Sequence, residues 1–472
     1  MVSKGTRKQR ATATNNESAF IRQEDAPILP PPITSAGIAG WLYDNIFASM
    51  LDFSTLGAAV KSILMAIFTA FVAYIFVDQV YGLLDFAIFS AVWQDPEEQK
   101  RQVCWTIEQG GKLPNGWHGA CWPYIIAKTK FILYGAYPNE SLWRVNSTYL
   151  LGTILLVWVM IDRLPYRKLV GAVLLTIYPI FATVMLTGGG FGLSQFSVGV
   201  NTIVGLALIS LGRAGKMGWI TGPLLDLSKM AGVAGWFFIF FAAALVSVGV
   251  DFDLSKVDTR DWGGLLITLV VATTAIVVSL PLGILLALGR RSNLPVARTL
   301  SIIFIEFWRG VPLITVLFMA SVMIPLFMPE GVNFDSLLRA LIGVTLWQSA
   351  YMAEVIRGGL QAIDKGQYEG ADAVGLSYWQ SMRLIILPQA LTRVLPGIVN
   401  TIISVFKDTS LVSIVGLFDL LGATQATIAD AAWSTPVQAS TGYLVVALIF
   451  FVFCFGMSRY SMYIERKLDR GH

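Results

Sequence analysis

Three charged pairs interrupt apolar runs of this 472-residue chain and are its most unusual chemical feature: Glu306 with Arg309 in "IEFWRGVP", Glu354 with Arg357 in "AYMAEVIRGG", and Lys407 with Asp408 in "VFKDTSLV". Ionisable groups inside membrane spans are expensive to bury and mark substrate or ion paths by default. The polar Gln348, Thr409 and Ser410 join them. Lys407 and Asp408 could address the carboxylate and ammonium of a zwitterion. Adjacent residues on a helix do not share a face, so both can touch one ligand only if the helix breaks there. The alternative is that they pair with Glu306, Arg309, Glu354 or Arg357 simply to be tolerated in lipid. Glu354 and Arg357, at i,i+3, are candidates for a local structural ion pair.

Other chemistries are poorly supplied. The two histidines, His118 and His472, stand outside any Cys/His cluster of metal-ligand spacing, so no metal is expected. The stretches "GGKL" and "AGKM" lack the Gly offset and the Ser/Thr of a phosphate-cradling loop. The chain is therefore not expected to be an enzyme or to bind a cofactor. If ATP drives it, another subunit must hold the ATP and Mg.

These residues sit in a chain that is 55% hydrophobic, 14% charged and of net charge +4. Soluble domains carry roughly 25% charged residues, so an all-α polytopic membrane protein follows, and the small charge makes no case for nucleic acid. Ten candidate spans lie near 57–77, 146–161, 169–186, 193–211, 234–250, 264–288, 301–327, 337–357, 391–410 and 437–458. The 193–211 segment is only moderately apolar and could be re-entrant. Residues 1–35 are a polar tail without the apolar region of a cleavable leader. Residues 36–52 have the pattern of an interfacial helix, or of a surface linker. Lys and Arg cluster in the N-tail, at 162–168, 213–229, 290–298, 357–393 and the C-tail, which places both termini in the cytoplasm. The loop 78–145 is then external, and its Cys104 and Cys121 either pair or remain two free thiols; spacing leaves this open.

One segment, "QYEGADAVGLSYWQSMRLIILPQAL" (367–391), is amphipathic and faces the cytoplasm. It divides into a first helix, a release at Gly375, and a second helix that starts from a Ser cap and is stopped by Pro388. Such a pair suits docking into a partner's groove, or it merely covers the bilayer edge.

The spacing of Glu369, Gly370, Ala371, Gly375, Ile385, Leu387 and Pro388 resembles the EAA loop of ABC-importer permeases. The flanks "FIEFWRGVPLI", "QSAYMAEVIRGGLQAIDKGQYEGADAVGLS", "LPQALTRVLPGIVNTIISVFKDTSLVSIVGLFDLL" and "IERKL" are similar to the polar-amino-acid branch of that family. The layout of the N-terminal half resembles the M-type subunit of general L-amino-acid importers. The resemblance implies a five-helix type I core (261–472) behind an N-terminal membrane extension (53–260), in a bacterial inner membrane. It implies a coupling loop at 366–388 that rests on an ATPase. Its implied partners are two nucleotide-binding ATPase subunits, a sister permease in a heterodimer, a periplasmic amino-acid-binding protein, and an amino-acid substrate. A secondary transporter or channel without an ATPase is the competing function, and a membrane scaffold or sensor a third. Gly370 stands where the family has Ala, and Gly costs a helix interior about 1 kcal/mol.

Overall fold

A computed structural model describes residues 56–94, 100–190, 195–219, 224–328, 335–433 and 435–469. The tail 1–35 and the interfacial segment 36–52 lie outside the described residues. The chain divides into two units, Met1–Phe89 and Ser90–His472. In the first, α1 spans Leu56–Leu84 and runs on as a wide π-type turn, Asp85–Phe89. It is longer than the expected 57–77 because the apolar pattern continues past Asp78, so residues 78–89 are helix rather than loop.

In the second unit, the segment before α2 carries a disulfide between Cys104 and Cys121, with Cα atoms 6.0 Å apart. It leads into α2 (Trp122–Tyr134), which Pro123 starts in the first turn, where a missing N–H is harmless. Polar contacts tie α2 to the C-terminal helices. Tyr124 shares a 2.6 Å hydrogen bond with Thr427, Lys128 pairs with Asp430, and the Cys121 N–H donates to Thr441 Oγ1 at 3.1 Å.

Two antiparallel pairs follow: α3 (Leu142–Met160) with α4 (Arg167–Thr187), and α5 (Gln195–Lys216) with α6 (Leu224–Gly249). The α5–α6 pair is a glycine seam. A Cβ on Gly212 would lie 2.5 Å from the Gly232 Cα, and one on Gly235 2.7 Å from the Gly205 carbonyl. Backbones approach this closely only without side chains between them. The described part of the doubtful 193–211 segment, from Gln195 on, is thus continuous helix.

The C-terminal half consists of α7 (Leu265–Arg291), α8 (Pro295–Gly310), α9 (Leu313–Phe318), α10 (Ser336–Gln361), α11 (Lys365–Ala373), α12 (Tyr378–Ser381), α13 (Leu387–Arg393), α14 (Leu395–Asp408), α15 (Leu420–Ile428) and α16 (Gln438–Asp469). Its main core joins Leu266, Ile267 and Val271 of α7, Val316 and Leu317 of α9, Val344 of α10, and Val405 of α14. A second cluster roots the ends of α7 and α10, through Leu288, Met352, Ile356 and Leu360, to Met382, Ile386 and Ala390.

Among the described residues eight helices are long and apolar enough to cross a membrane, or nine if one bent pair is a single span, against the ten expected. The pair is α8 with the stretch Leu313–Leu326, which meet at 103°. Gly310 and Pro312 break the apolar run 301–327 there, because Pro312 biases Val311 away from helix. The remaining difference is α10, which has 26 residues but whose Arg339, Gln348, Glu354 and Arg357 dilute its apolar content.

Candidate functional site

The elbow begins at α11. Ala371 is its one buried residue, while Glu369, Gly370 and Val374 face outward. Gly375 then takes a positive φ of 77°, which lets the chain reverse without a Cβ clash. The Gly375 and Leu376 N–H groups close the helix end onto Asp372 and Ala371 at 2.9 and 3.1 Å. Ser377 and Gln380 form a reciprocal capping box that restarts the chain as α12.

Pro388 does not stop this second helix, contrary to the sequence expectation. Met382–Ile386 widens into a π turn, with the Leu387 N–H reaching back to the Met382 carbonyl, and the helix carries on through Pro388 as α13. The wide turn inserts an extra residue just before the position that lacks a donor, so the ladder absorbs the proline. Ile385 and Leu387 pack against the cluster beneath the elbow.

The elbow is anchored at several points. Arg291, the last residue of α7, donates to the Leu360 carbonyl at 2.7 Å and to the Tyr368 hydroxyl at 3.0 Å, and its guanidinium lies 5.5 Å from the Tyr368 ring centre. Gln389 donates to Gln367 at 3.0 Å, joining the two arms. Arg393 donates to the Ala362 carbonyl and lies 3.7 Å from Asp364. A cavity of about 220 Å³ beside Arg291, Tyr368, Tyr378 and Met382 leaves room under the bend.

The charges inside α8 and α10 form one network. Glu354, whose side chain is 15% exposed, receives Arg357 at 2.7 Å, Arg290 at 2.9 Å and Arg309 at 3.6 Å. Arg290 also binds Glu306 at 2.8 Å. The expected Glu354–Arg357 pair is thus two members of a group of five that carries one surplus positive charge. Arg290 is the member that sequence reasoning missed as a site residue. Its partner lies 64 positions away, and it looked like one cation in a basic loop.

The other path candidates separate from this group. Among the described residues, neither Lys407 nor Asp408 lies within ion-pair distance of Glu306, Arg309, Glu354 or Arg357. Both close α14, and the chain continues through Thr409–Val415 as a 3-10 helix. The helix therefore tightens from α to 3-10 at this pair without interruption, and Leu395–Val415 counts as one span. Thr409 is buried, its hydroxyl donating to the Phe406 carbonyl at 2.8 Å, and Ser410 is half-buried. Gln348 is 2% exposed and donates to the Thr401 carbonyl at 3.0 Å, so it joins α10 to α14. Asp419 was also missed. It is fully buried, caps α15 through the Leu421 and Gly422 N–H groups, and burial pushes its carboxyl up to about 6. No group of His, Cys, Asp and Glu among the described residues could hold a metal.

The family model described as binding-protein-dependent transport system inner membrane component matches residues 279–470. The inner membrane amino-acid ABC transporter permease protein YhdY of Escherichia coli K12 is 45% identical over 75% of this chain and 79% of its own length. The glutamate/glutamine/aspartate/asparagine transport system permease protein BztC of Rhodobacter capsulatus is 40% identical over 97% of this chain and 100% of its own. Among solved structures, the crystal structure of an amino acid ABC transporter with histidines aligns over 43% of this chain and 92% of its own at 29% identity, with a TM-score of 0.39.

Proposed function

The chain belongs to the amino-acid ABC transporter permeases, and from that premise we propose that its elbow, residues 366–388, is where a separate ATPase delivers work. The protein is a multi-pass inner-membrane permease subunit of an ATP-driven amino-acid importer, and family membership removes the ATP-independent alternative. Importer permeases of this kind work with an ATPase and a substrate-binding protein. We extend this to two ATPase subunits and a sister permease in a heterodimer. We assign the nucleotide, Mg and all hydrolysis to the ATPase, leaving this chain without a cofactor. Both termini and the elbow face the cytoplasm in this reading, and the Cys104–Cys121 segment faces outward. Residues 53–260 act as an extension and 261–472 as the transporting core. BztC is named for glutamate, glutamine, aspartate and asparagine, and polar amino acids of that class are the cargo we assign.

The observation that carries the coupling role is the attachment of an outward-facing elbow to two long helices. Val374, Tyr378 and Trp379 are exposed, which suits a groove on a partner, whereas Arg291 and the cluster around Met382 and Ile386 fasten the elbow's inner side to α7 and α10. A push on the elbow therefore moves both helix ends together. Arg290 neighbours Arg291, and Glu354 stands seven residues before the end of α10, so the same movement rearranges the ion pairs around Glu354. Lys407, Asp408, Thr409 and Ser410 are the substrate contacts we favour, at the point where α14 tightens into a 3-10 helix.

The test is uptake of labelled amino acids into vesicles that hold the purified complex, with and without ATP. Glu369→Lys should lower ATP-driven uptake at least tenfold while the permease still reaches the membrane. Uptake that persists without any ATPase subunit, or is indifferent to this reversal, would reject the coupling role.

A further inference from the structure

Arg144 is the largest fully buried side chain among the described residues, at 1% exposure. Its Nη2 makes a long contact with Ser255 Oγ at 3.4 Å, and Nε and Nη1 have no hydrogen-bond partner among the described residues. The Tyr137 ring lies 6.0 Å from the guanidinium. No carboxylate among the described residues is within ion-pair distance. The acids of the neighbouring segments, Glu140, Asp251, Asp253 and Asp258, are all exposed, and Asp251 and Asp258 are turned to the Asp253 and Arg260 N–H groups.

This cation is also badly placed along its own helix. Arg144 lies in the first turn of α3, which contains no acid, and its N-cap residue Ser141 makes no side-chain cap bond. The helix dipole puts positive potential at that end, so the local field and the side chain have the same sign. Arginine cannot shed its proton to relieve this. Water could satisfy the two nitrogens, but water leaves the charge uncompensated, and charge is the dominant penalty of burying an ion.

We propose that Arg144, with the hydroxyls of Ser141 and Ser255, forms a binding site for one small monovalent anion of halide size. Ser141 and Ser255 already lie 3.1 Å apart, and Ser255 is exposed, which gives the ion a way in. The site stands where the N-terminal helices meet the lead-in to the core. Tyr137 donates to the Leu186 carbonyl at 2.9 Å, and the Val257 N–H to the Thr187 carbonyl at 3.0 Å, so the α2–α3 turn, the end of α4 and the stretch before α7 converge there. A bound anion would fasten that joint.

The experiment compares thermal unfolding of the full-length chain, with its partners, in sodium chloride and in sodium gluconate at equal ionic strength. The wild type should melt several degrees higher in chloride, and Arg144→Met, uncharged and close in length, should melt alike in both salts. A bromide-exchanged crystal should show an anomalous peak beside the guanidinium, a readout that stands even if the variant does not fold. Equal melting of the wild type in the two salts, a chloride effect that survives in Arg144→Met, or no bromide at Arg144 would overturn the site.

Discussion

The α5–α6 hairpin and the group α7, α8 and α10 hold their helices together by different means. The α5–α6 pair removes side chains: Gly205, Gly212, Gly232 and Gly235 let two backbones touch, and the contact is geometric. The C-terminal half instead bends one apolar run at Gly310 and Pro312, widens another near Pro388, and links α7, α8 and α10 through ion pairs. Smooth surfaces of small residues make a fixed contact. Ion pairs between bent helices have alternative partners and can be rearranged, as an alternating-access device requires. On this comparison we propose that the extension is a scaffold and the core the moving part.

The largest effect expected from breaking this contrast is at Glu354. Glu354→Ala leaves Arg290, Arg309 and Arg357 with Glu306 as their one acid. We expect a loss of about 3 kcal/mol, near the low end for a broken buried pair because the arginines retain some water. Thermal unfolding of the purified chain measures it. Arg309→Ala, which removes the most distant partner at 3.6 Å, should change stability far less. Equal losses for the two would mean that Glu354 is not the hub.

On the scaffold side, Gly212→Val should cost about 2 kcal/mol, since overpacking a close contact forces backbone to move. The Cβ it adds would lie 2.5 Å from the Gly232 Cα, and backbone cannot swing aside as a long side chain can. The variant should lose melting temperature while the uptake of the surviving molecules per ATP stays normal, because no moving element has been touched. Lost coupling at unchanged stability would reverse the assignment of scaffold and moving part.

How far these roles were legible depends on how local their causes are. The positions of most helices follow from apolar runs and the basic loops between them, and the Gly375 turn with its Ser377 cap is written in consecutive residues. The 103° bend was signalled by "RGVP" but masked by the apolar residues on either side, which made 301–327 look continuous. Pro388 misled for the converse reason: proline normally ends a helix, and only the neighbouring turn shows that the ladder has already been relaxed. Contacts between distant positions left no local trace. Arg290 with Glu354, Arg291 with Tyr368, and the lone Arg144 all depend on which helix ends the fold brings together.

The smallest expected effect sharpens the comparison at the elbow itself, where a glycine occupies a helix interior without any close neighbour. A Cβ at Gly370 would meet nothing within 4 Å, unlike the tightly opposed glycines of the α5–α6 seam. Steric need therefore does not explain it, and only the backbone entropy of glycine remains. Gly370→Ala should stabilise α11 by about 1 kcal/mol. That corresponds to roughly fivefold slower amide exchange across residues 365–373 if those amides exchange by local opening of the helix. The gain should appear in the permease alone, since it arises within the helix rather than from a partner. Exchange that did not slow would mean that contacts at Ala371 and Tyr368, rather than the helix's own propensity, already hold α11 in place. Slower exchange accompanied by lost uptake would show that transport requires the elbow to flex at Gly370.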